Sequence, residues 1–270
     1  MELETPLLAS HQPTNIISRL MMTNNEDETQ KRLIQDALIL ANKIGSLEKK
    51  ILPSYVCRSD KMRLWEEVLC NNIYNGLKKI QLRWCSLQSA GIKLLANGIQ
   101  HSCCDSLEIL DLMGNEIGVS GARSVSALLA PGVDLDSFQV QDSRSVLREF
   151  EKQNIHKIGS IKTLILSHNC TSDAGCGYIG KAMSINNTLT TLELENCEIG
   201  DNGMLYLRRG VERTNTIQYM NIAANRFGEL GCREVQSWLL RCSSLRKLDI
   251  SRNRIGPKST MEIAKGTVSY

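Results

Sequence analysis

One frame, apolar-x-x-apolar-x-apolar, occurs seven times and constrains the fold more than any other feature of the chain. The frames begin at Leu77, Leu107, Leu135, Ile161, Leu189, Ile217 and Leu245. The first and last starts lie 168 residues apart, so the six steps average 28 residues. A period of this length indicates a solenoid, in which each repeat stacks on its neighbours. We therefore expect function to lie on an extended surface.

Each repeat changes from a strand pattern to a helix pattern. In the repeat LTTLELENCEIGDNGMLYLRRGV, which begins at Leu189, apolar and polar residues first alternate, as in a strand with one buried face. Gly203, Leu207 and Val211 then follow at intervals of four, which is the spacing of a helical stripe. Stacked repeats of this kind predict an α/β solenoid with one parallel sheet and an outer layer of helices.

The ninth position of the repeat is held by asparagine or cysteine. An asparagine amide can donate to and accept from the backbone groups left where the strand turns away. Cysteine is small, tolerates burial and offers a weaker donor. We expect a structural ladder formed by Cys85, Asn115, Asn169, Cys197, Asn225 and Asn253.

These positions resemble the leucine-rich repeat pattern L-x-x-L-x-L-x-x-N/C-x-L. The 28-residue period, the helical second half and the mixture of Asn and Cys resemble the ribonuclease-inhibitor subtype. The resemblance runs from Leu77 to about Val268. It implies a horseshoe whose sheet lines the concave side and whose most frequent role is to bind another protein.

The repeat that begins at Leu135 is degenerate. Its strand LDSFQV keeps the apolar frame, but Ser143 replaces the ladder residue and Glu149 replaces the glycine of other repeats. One interpretation is a drifted repeat, with a helix stripe formed by Val146, Leu147 and Phe150. The alternative is a bent segment, 130–158, that contacts a partner.

Three regions are predicted along the chain. Residues 1–28 read as a disordered tail, 29–76 as a helical cap that includes a degenerate repeat at 52–76 in one interpretation, and 77–270 as seven repeats. The alternative for 29–51 is a docking helix for a partner. The last helix stripe ends close to the C-terminus, so that end is expected to be frayed or covered by another chain.

Composition argues against several other classes of protein. The net charge of +3 is too balanced to indicate nucleic acid, and no apolar run approaches the length of a membrane span. The ten cysteines lack CxxC spacing and form no cluster with the four histidines, so no metal or cofactor is expected. We expect reduced thiols and a cytoplasmic location, with nuclear or ciliary association as alternatives.

Repeat positions 3, 5, 7 and 8 are expected to face the concave side. The candidate protein-binding residues there are Arg83, Trp84, Asp111, Met113, His168, Glu193, Glu195, Tyr219, Asn221, Asp249 and Arg252. Trp84 is the strongest of them, because exposed tryptophans are enriched at binding hot spots; the alternative is that Trp84 packs on the cap around Trp65. Glu193 and Glu195 either pair with a partner's cations or form a solvated charged surface.

The sequence therefore predicts a non-catalytic module that binds an unidentified protein through its concave face; it leaves the oligomeric state open. A substrate adaptor of a ubiquitin ligase is one alternative, although residues 29–70 do not match its helical motif. A regulator resembling the Ran GTPase activator is another, although the chain ends without the acidic tail of that family. No catalytic residues are predicted.

Overall fold

A computed structural model describes residues 78–101, 106–153 and 159–267, all within one compact unit of the chain. The six strands are β1 (Lys79–Gln81), β2 (Ile109–Asp111), β3 (Thr163–Ile165), β4 (Thr191–Glu193), β5 (Tyr219–Asn221) and β6 (Lys247–Asp249). The seven α-helices described are α1 (Gln88–His101), α2 (Gly118–Leu129), α3 (Ser143–Lys152), α4 (Ser172–Met183), α5 (Asp201–Thr214), α6 (Glu229–Leu239) and α7 (Pro257–Thr267). The predicted regions 1–28 and 29–76, and Trp65 with them, lie outside the described residues.

The strands form one parallel sheet in chain order, β1 to β6. The register places the central apolar residues of the strands in line, with Ile80 beside Leu110 and Leu164 beside Leu192. These side chains are fully buried because they point from the sheet towards the helices. The opposite side of the sheet, which we call the open face, carries the positions predicted to be concave.

The helices form a second layer behind the sheet. Helix α1 packs on α2, α2 on α4, α4 on α5, α5 on α6, and α6 on α7. Their buried stripes include Val125, Ile179, Leu207 and Val235, which recur once per repeat. The core is thus a continuous apolar layer between sheet and helices, and the α/β solenoid predicted from the sequence is confirmed.

The ladder residues lie at the ends of the strands and join adjacent repeats. Asn225 Oδ1 accepts from the backbone N–H of Cys197 at 2.9 Å and of Ile199 at 3.0 Å. Its Nδ2 donates to the carbonyl of Leu194 in the preceding repeat at 2.8 Å. Asn115 and Asn169 make the equivalent bonds. All six residues predicted for the ladder lie in the turn that follows a strand: Cys85, Asn115, Asn169, Cys197, Asn225 and Asn253.

The cysteines of the ladder make fewer bonds than the asparagines. Cys197 Sγ donates to the Leu166 carbonyl at 3.2 Å, and Cys85 Sγ to the Arg83 carbonyl at 3.2 Å. Asn253 bonds to the Ile222 carbonyl at 2.9 Å, but no described residue bonds to its Oδ1. The ladder is therefore incomplete at its C-terminal end.

The prediction of a strand at Leu135 is wrong. Strand β2 pairs directly with β3, with Ile109 opposite Thr163, and the intervening segment contributes nothing to the sheet. The segment forms turns, a 3₁₀ turn over Val140–Asp142 and helix α3. Val146, Leu147 and Phe150 are only half-buried in α3. The sheet therefore contains six repeats, and the segment from Pro131 to Gln153, which we call the insertion, lies outside them.

Local hydrogen bonds explain why the insertion leaves the sheet. Asp134 Oδ1 accepts from the backbone N–H of Asp136 at 3.1 Å, and Asp134 Oδ2 accepts from Ser137 Oγ at 2.8 Å. Such bonds of Asp and Ser favour a turn over a strand. Leu135 and Phe138 stay buried, which keeps the insertion packed on the protein. The apolar frame is thus satisfied without a strand.

Candidate interaction surface

The eighth residue of each repeat has a left-handed backbone, which turns the chain away from the sheet. The φ angles of Trp84, Gly114, His168, Asn196, Ala224 and Arg252 all lie between 51° and 70°. Because the repeats are in register, these six residues form a row across the open face, at the ends of the strands. We call it the left-handed row.

Trp84 is the largest exposed side chain of this row, with 63% of its surface accessible. Its ring lies over Gly114, where a Cβ would overlap the indole. It also meets the His168 ring at a centroid distance of 5.4 Å and an interplanar angle of 42°. His168 Nδ1 in turn lies 3.1 Å from Asn196 Nδ2. Trp84 is therefore held in one position although it is exposed.

An ion pair lies beside Trp84 on the open face. Arg83 Nε is 2.6 Å from Asp111 Oδ2, which also accepts from Gln81 Nε2 at 3.1 Å. Asp111 is 1% exposed, so the sequence-based assignment of Asp111 as a partner-contacting residue is wrong. Its role is to hold Arg83, whose side chain is 43% exposed.

Asn221, like Asp111, supports the structure and is not accessible to a partner. Asn221 is buried, and its Oδ1 accepts from the Ala223 backbone N–H at 3.0 Å. Asp249 Oδ1 accepts from Ser251 in the same way at 3.0 Å, and this bond lowers the pKa of Asp249. Position 5 thus supports the turn after the strand, because a short Asx side chain reaches the N–H two residues on.

Glu193 lies at the middle of the open face and is half-buried, and no hydrogen bond or ion pair joins its carboxylate to a described residue. Desolvation raises the pKa of its carboxyl, and the nearby Asp111 and Glu195 raise it further, against Arg83 and Lys247. Glu195 is different, since its Oε2 accepts from Asn221 Nδ2 at 3.2 Å. A half-buried carboxylate without a partner favours a cation brought from outside.

The C-terminal part of the open face is aromatic and basic. The ammonium of Lys247 lies 5.2 Å from the centre of the Tyr219 ring, and burial raises the pKa of the Tyr219 hydroxyl. Arg252 is exposed at the end of the left-handed row. Tyr219 itself is only half-buried, so part of its surface is open to a partner.

The predicted site residues therefore divide into two groups. Asp111 and Asn221 are buried supports, whereas the accessible or half-accessible residues are Arg83, Trp84, Met113, His168, Glu193, Glu195, Tyr219, Asp249 and Arg252. The sequence did not indicate that Gly114 lies under the indole or that Asn196 is the partner of His168. The eighth position of the repeats does show a glycine, Gly114, between the aromatic residues Trp84 and His168. That pattern is informative only once β2 is known to pair with β3.

Two other classes of site, a metal centre and a membrane-spanning helix, are absent from the described residues. No group of three or more His, Cys, Asp or Glu side chains there is arranged to hold a metal ion. None of the described helices combines the length and the apolar character required to cross a membrane.

The sequence matches a family model described as "Leucine Rich repeat" at residues 103–126, 186–207 and 241–264. No curated protein has a significantly similar sequence. A solved structure described as "Leiomodin-1 Actin-Binding Site 2 (ABS2)" is 18% identical, covers 55% of this chain and 87% of its own, and has a TM-score of 0.34. A second, "Crystal structure of a TDR receptor", is 12% identical, covers 79% of this chain and 40% of its own, and has a TM-score of 0.30. Neither similarity assigns a partner to this chain.

Proposed function

We propose that this leucine-rich repeat protein is a non-catalytic interaction module that binds a protein partner through the open face of its sheet. Leucine-rich repeats are generally interaction domains, and the family match indicates no enzyme. We also propose the ribonuclease-inhibitor-like subtype. The 28-residue spacing and the α-helix that follows each strand support it.

The observation that carries the proposal is the fixed, exposed indole of Trp84. Its ring is positioned by Gly114 and His168 before any partner arrives. A pre-positioned aromatic side chain buries a large area on binding while losing little rotamer entropy. Such residues are typical anchors of protein interfaces.

Glu193 adds a requirement for charge. It lies on β4, three strands from β1, which Trp84 follows, and three strand spacings amount to about 14 Å across the sheet. A partner Lys or Arg at Glu193 would pair with a carboxylate that makes no ion pair with a described residue, although Arg83 and Lys247 lie near enough to lower its pKa. We propose a partner segment that carries an apolar or aromatic group for Trp84 and a cation for Glu193.

The proposed compartment is the cytoplasm. Its support is the use of cysteine, since Cys85 and Cys197 serve as ladder thiols and Cys176 and Cys232 are buried between repeats. A protein with such thiols suits a reducing compartment. The predicted cap over 29–76 remains a prediction.

Quantitative affinity purification from native cells tests the proposal. The wild-type chain is compared with the separate variants Trp84→Ala and Glu193→Lys, and with Glu151→Lys on exposed α3 as the matched charge control. We expect one set of partners to be lost from both open-face variants and retained by Glu151→Lys. Circular dichroism establishes that all four proteins are folded.

Two outcomes would contradict the proposal. One is retention of every partner by both open-face variants, and the other is an equal loss with Glu151→Lys. A purified partner also permits a pH test: its affinity should fall as pH decreases through the raised pKa of Glu193, because protonation removes the charge that the partner's cation contacts.

A further inference from the structure

A groove of about 850 Å³ lies on the helical side of the protein, between the insertion and helices α4 and α5. Gln139 and Val140 of the insertion form one wall. Tyr206, Arg209 and Arg213 of α5 form the other. The groove exists because the insertion lies outside the sheet.

Helices α4 and α5, which both line the groove, pack closely on each other through glycines. Gly177 contributes no side chain, and a Cβ there would stand 3.8 Å from the Tyr206 ring. Gly180 and Gly210 let α4 and α5 approach so closely that a Cβ on either would overlap backbone atoms of the other helix. The two helices therefore cannot slide past each other easily.

Polar contacts hold the insertion against α4. Lys181 Nζ donates to the carbonyl of Leu135 at 2.8 Å. The Tyr178 hydroxyl donates to Asp136 Oδ1 at 3.1 Å, and Asp136 also pairs with Arg123. These contacts fix the distance between the two walls.

The charges of the groove are only partly balanced. Arg208 lies 2.7 Å from Glu212 and 2.5 Å from Glu234, and Arg241 lies 3.4 Å from Glu212, so this cluster of two cations and two anions is neutral. Arg209 and Arg213 are exposed, and no carboxylate of the described residues contacts either of them. These two guanidinium groups give the groove an unneutralised positive charge.

We propose that this groove binds an acidic segment of a partner protein, independently of the open face. Tyr206, Arg209 and Arg213 are spaced by three and four residues, which places them along one side of α5. The two guanidinium groups stand one helical turn apart and suit two carboxylates at the same spacing. Tyr206 and Val140 offer apolar surface to a side chain between or beside those carboxylates.

The same features favour a peptide over a nucleic acid. Glu212 lines the groove and Glu234 pairs with the lining residue Arg208, and both carboxylates would repel a continuous run of phosphates. A protein segment can place its carboxylates only opposite Arg209 and Arg213, and its backbone can bond to the side-chain amides of Gln139 and Gln141. The groove is thus matched to a mixed, acidic chain.

Fluorescence anisotropy with the full chain tests this proposal. The probe is a fluorescein-labelled peptide of repeated Glu-Glu-Leu, compared with the same peptide carrying Gln in place of Glu and with labelled oligothymidylate. We expect Arg209→Gln/Arg213→Gln to raise the Kd of the acidic peptide about tenfold or more, since it removes two charge-assisted contacts. Tyr206→Ala should raise the Kd about threefold.

The matched control is Arg144→Gln/Arg148→Gln, an exposed pair one turn apart on α3 that does not line the groove. It changes net charge equally and should alter the Kd less than about twofold. Glu193→Lys should leave the Kd of the peptide unchanged, which separates this proposal from the open face. The proposal is overturned if the acidic peptide does not bind, or if the Gln peptide binds with the same Kd. It is also overturned if the Arg144/Arg148 control raises the Kd as much as the Arg209/Arg213 variant does. Tighter binding of oligothymidylate than of the acidic peptide, dependent on Arg209 and Arg213, would overturn it in favour of a nucleic acid.

Discussion

Gly114 determines how Trp84 is presented. It occupies the left-handed row with φ of 70°, next to residues such as His168 and Ala224 that adopt similar angles with a side chain. The backbone angle alone therefore does not require glycine in this row. The indole does, because its ring covers the space that a Cβ would fill.

Gly114→Ala should destabilise the fold more than Gly132→Ala does. Gly132 also has a positive φ, of 80°, but nothing lies within 4 Å of its missing Cβ. We expect a loss of about 1 kcal/mol for Gly132→Ala from the backbone angle. We expect about 2 kcal/mol for Gly114→Ala, because the indole must also leave its packing on His168. Urea unfolding measures both, and equal losses would show that the ring contributes nothing.

At the scale of elements, the asparagine ladder joins each strand end to its neighbour. Asn225 Oδ1 accepts hydrogen bonds from two backbone N–H groups, and its Nδ2 lies within hydrogen-bond distance of three carbonyls, all in a buried turn. Asn253 donates to three carbonyls, but its Oδ1 has no partner among the described residues and it is only half-buried. The same residue type should therefore contribute unequally in the two repeats.

We predict that Asn225→Ala lowers the free energy of unfolding by about 3 kcal/mol and Asn253→Ala by about 1 kcal/mol. The first change leaves buried backbone groups without partners, whereas water can reach part of the second site. Chemical denaturation of the two variants provides the measurement. A larger loss for Asn253→Ala would contradict the assigned role of the ladder.

At the scale of the whole molecule, stability should be distributed by distance from the ends of the sheet. Each repeat packs only on its neighbours, so a central repeat is supported from both sides. Leu192 of β4 is fully buried, whereas Leu248 of the edge strand β6 is half-buried. Leu239, Leu245 and Ile250 are likewise half-buried near that end.

Leu192→Ala should lower the free energy of unfolding by about 3 kcal/mol, and Leu248→Ala by about 1 kcal/mol. Hydrogen exchange read by mass spectrometry should show faster exchange from β3 to β5 in the first variant. In the second, the acceleration should be confined to β6 and α7, because an end repeat opens without its neighbours. Uniform acceleration in Leu248→Ala would mean that the array unfolds as one unit.

The parallel sheet and the ladder were predictable from the chain, although the frame predicted seven strands and the described sheet contains six. Their signals are local: alternation sets the buried face of each strand, and one Asn or Cys per repeat satisfies the turn that follows. Trp84 and Arg252 were predicted to be accessible and are exposed, and Glu193 is half-buried; their part in binding stays a prediction. A sequence period that stays in phase shows which residues occupy the same place in each repeat, because every repeat packs on its neighbours in the same way.

Pairing between strands was decided only in the tertiary structure. The Leu135 segment carries the same apolar frame, yet Asp134 and Ser137 form a turn and β2 pairs with β3 instead. That choice depends on competition between local hydrogen bonds and a distant strand, which the frame does not encode. It brings Trp84 and Gly114 beside His168, and it builds the groove against Arg209 and Arg213. The burial of Asp111 beneath Arg83 also depends on the pairing of strands, because residues of the neighbouring strand cover its side chain.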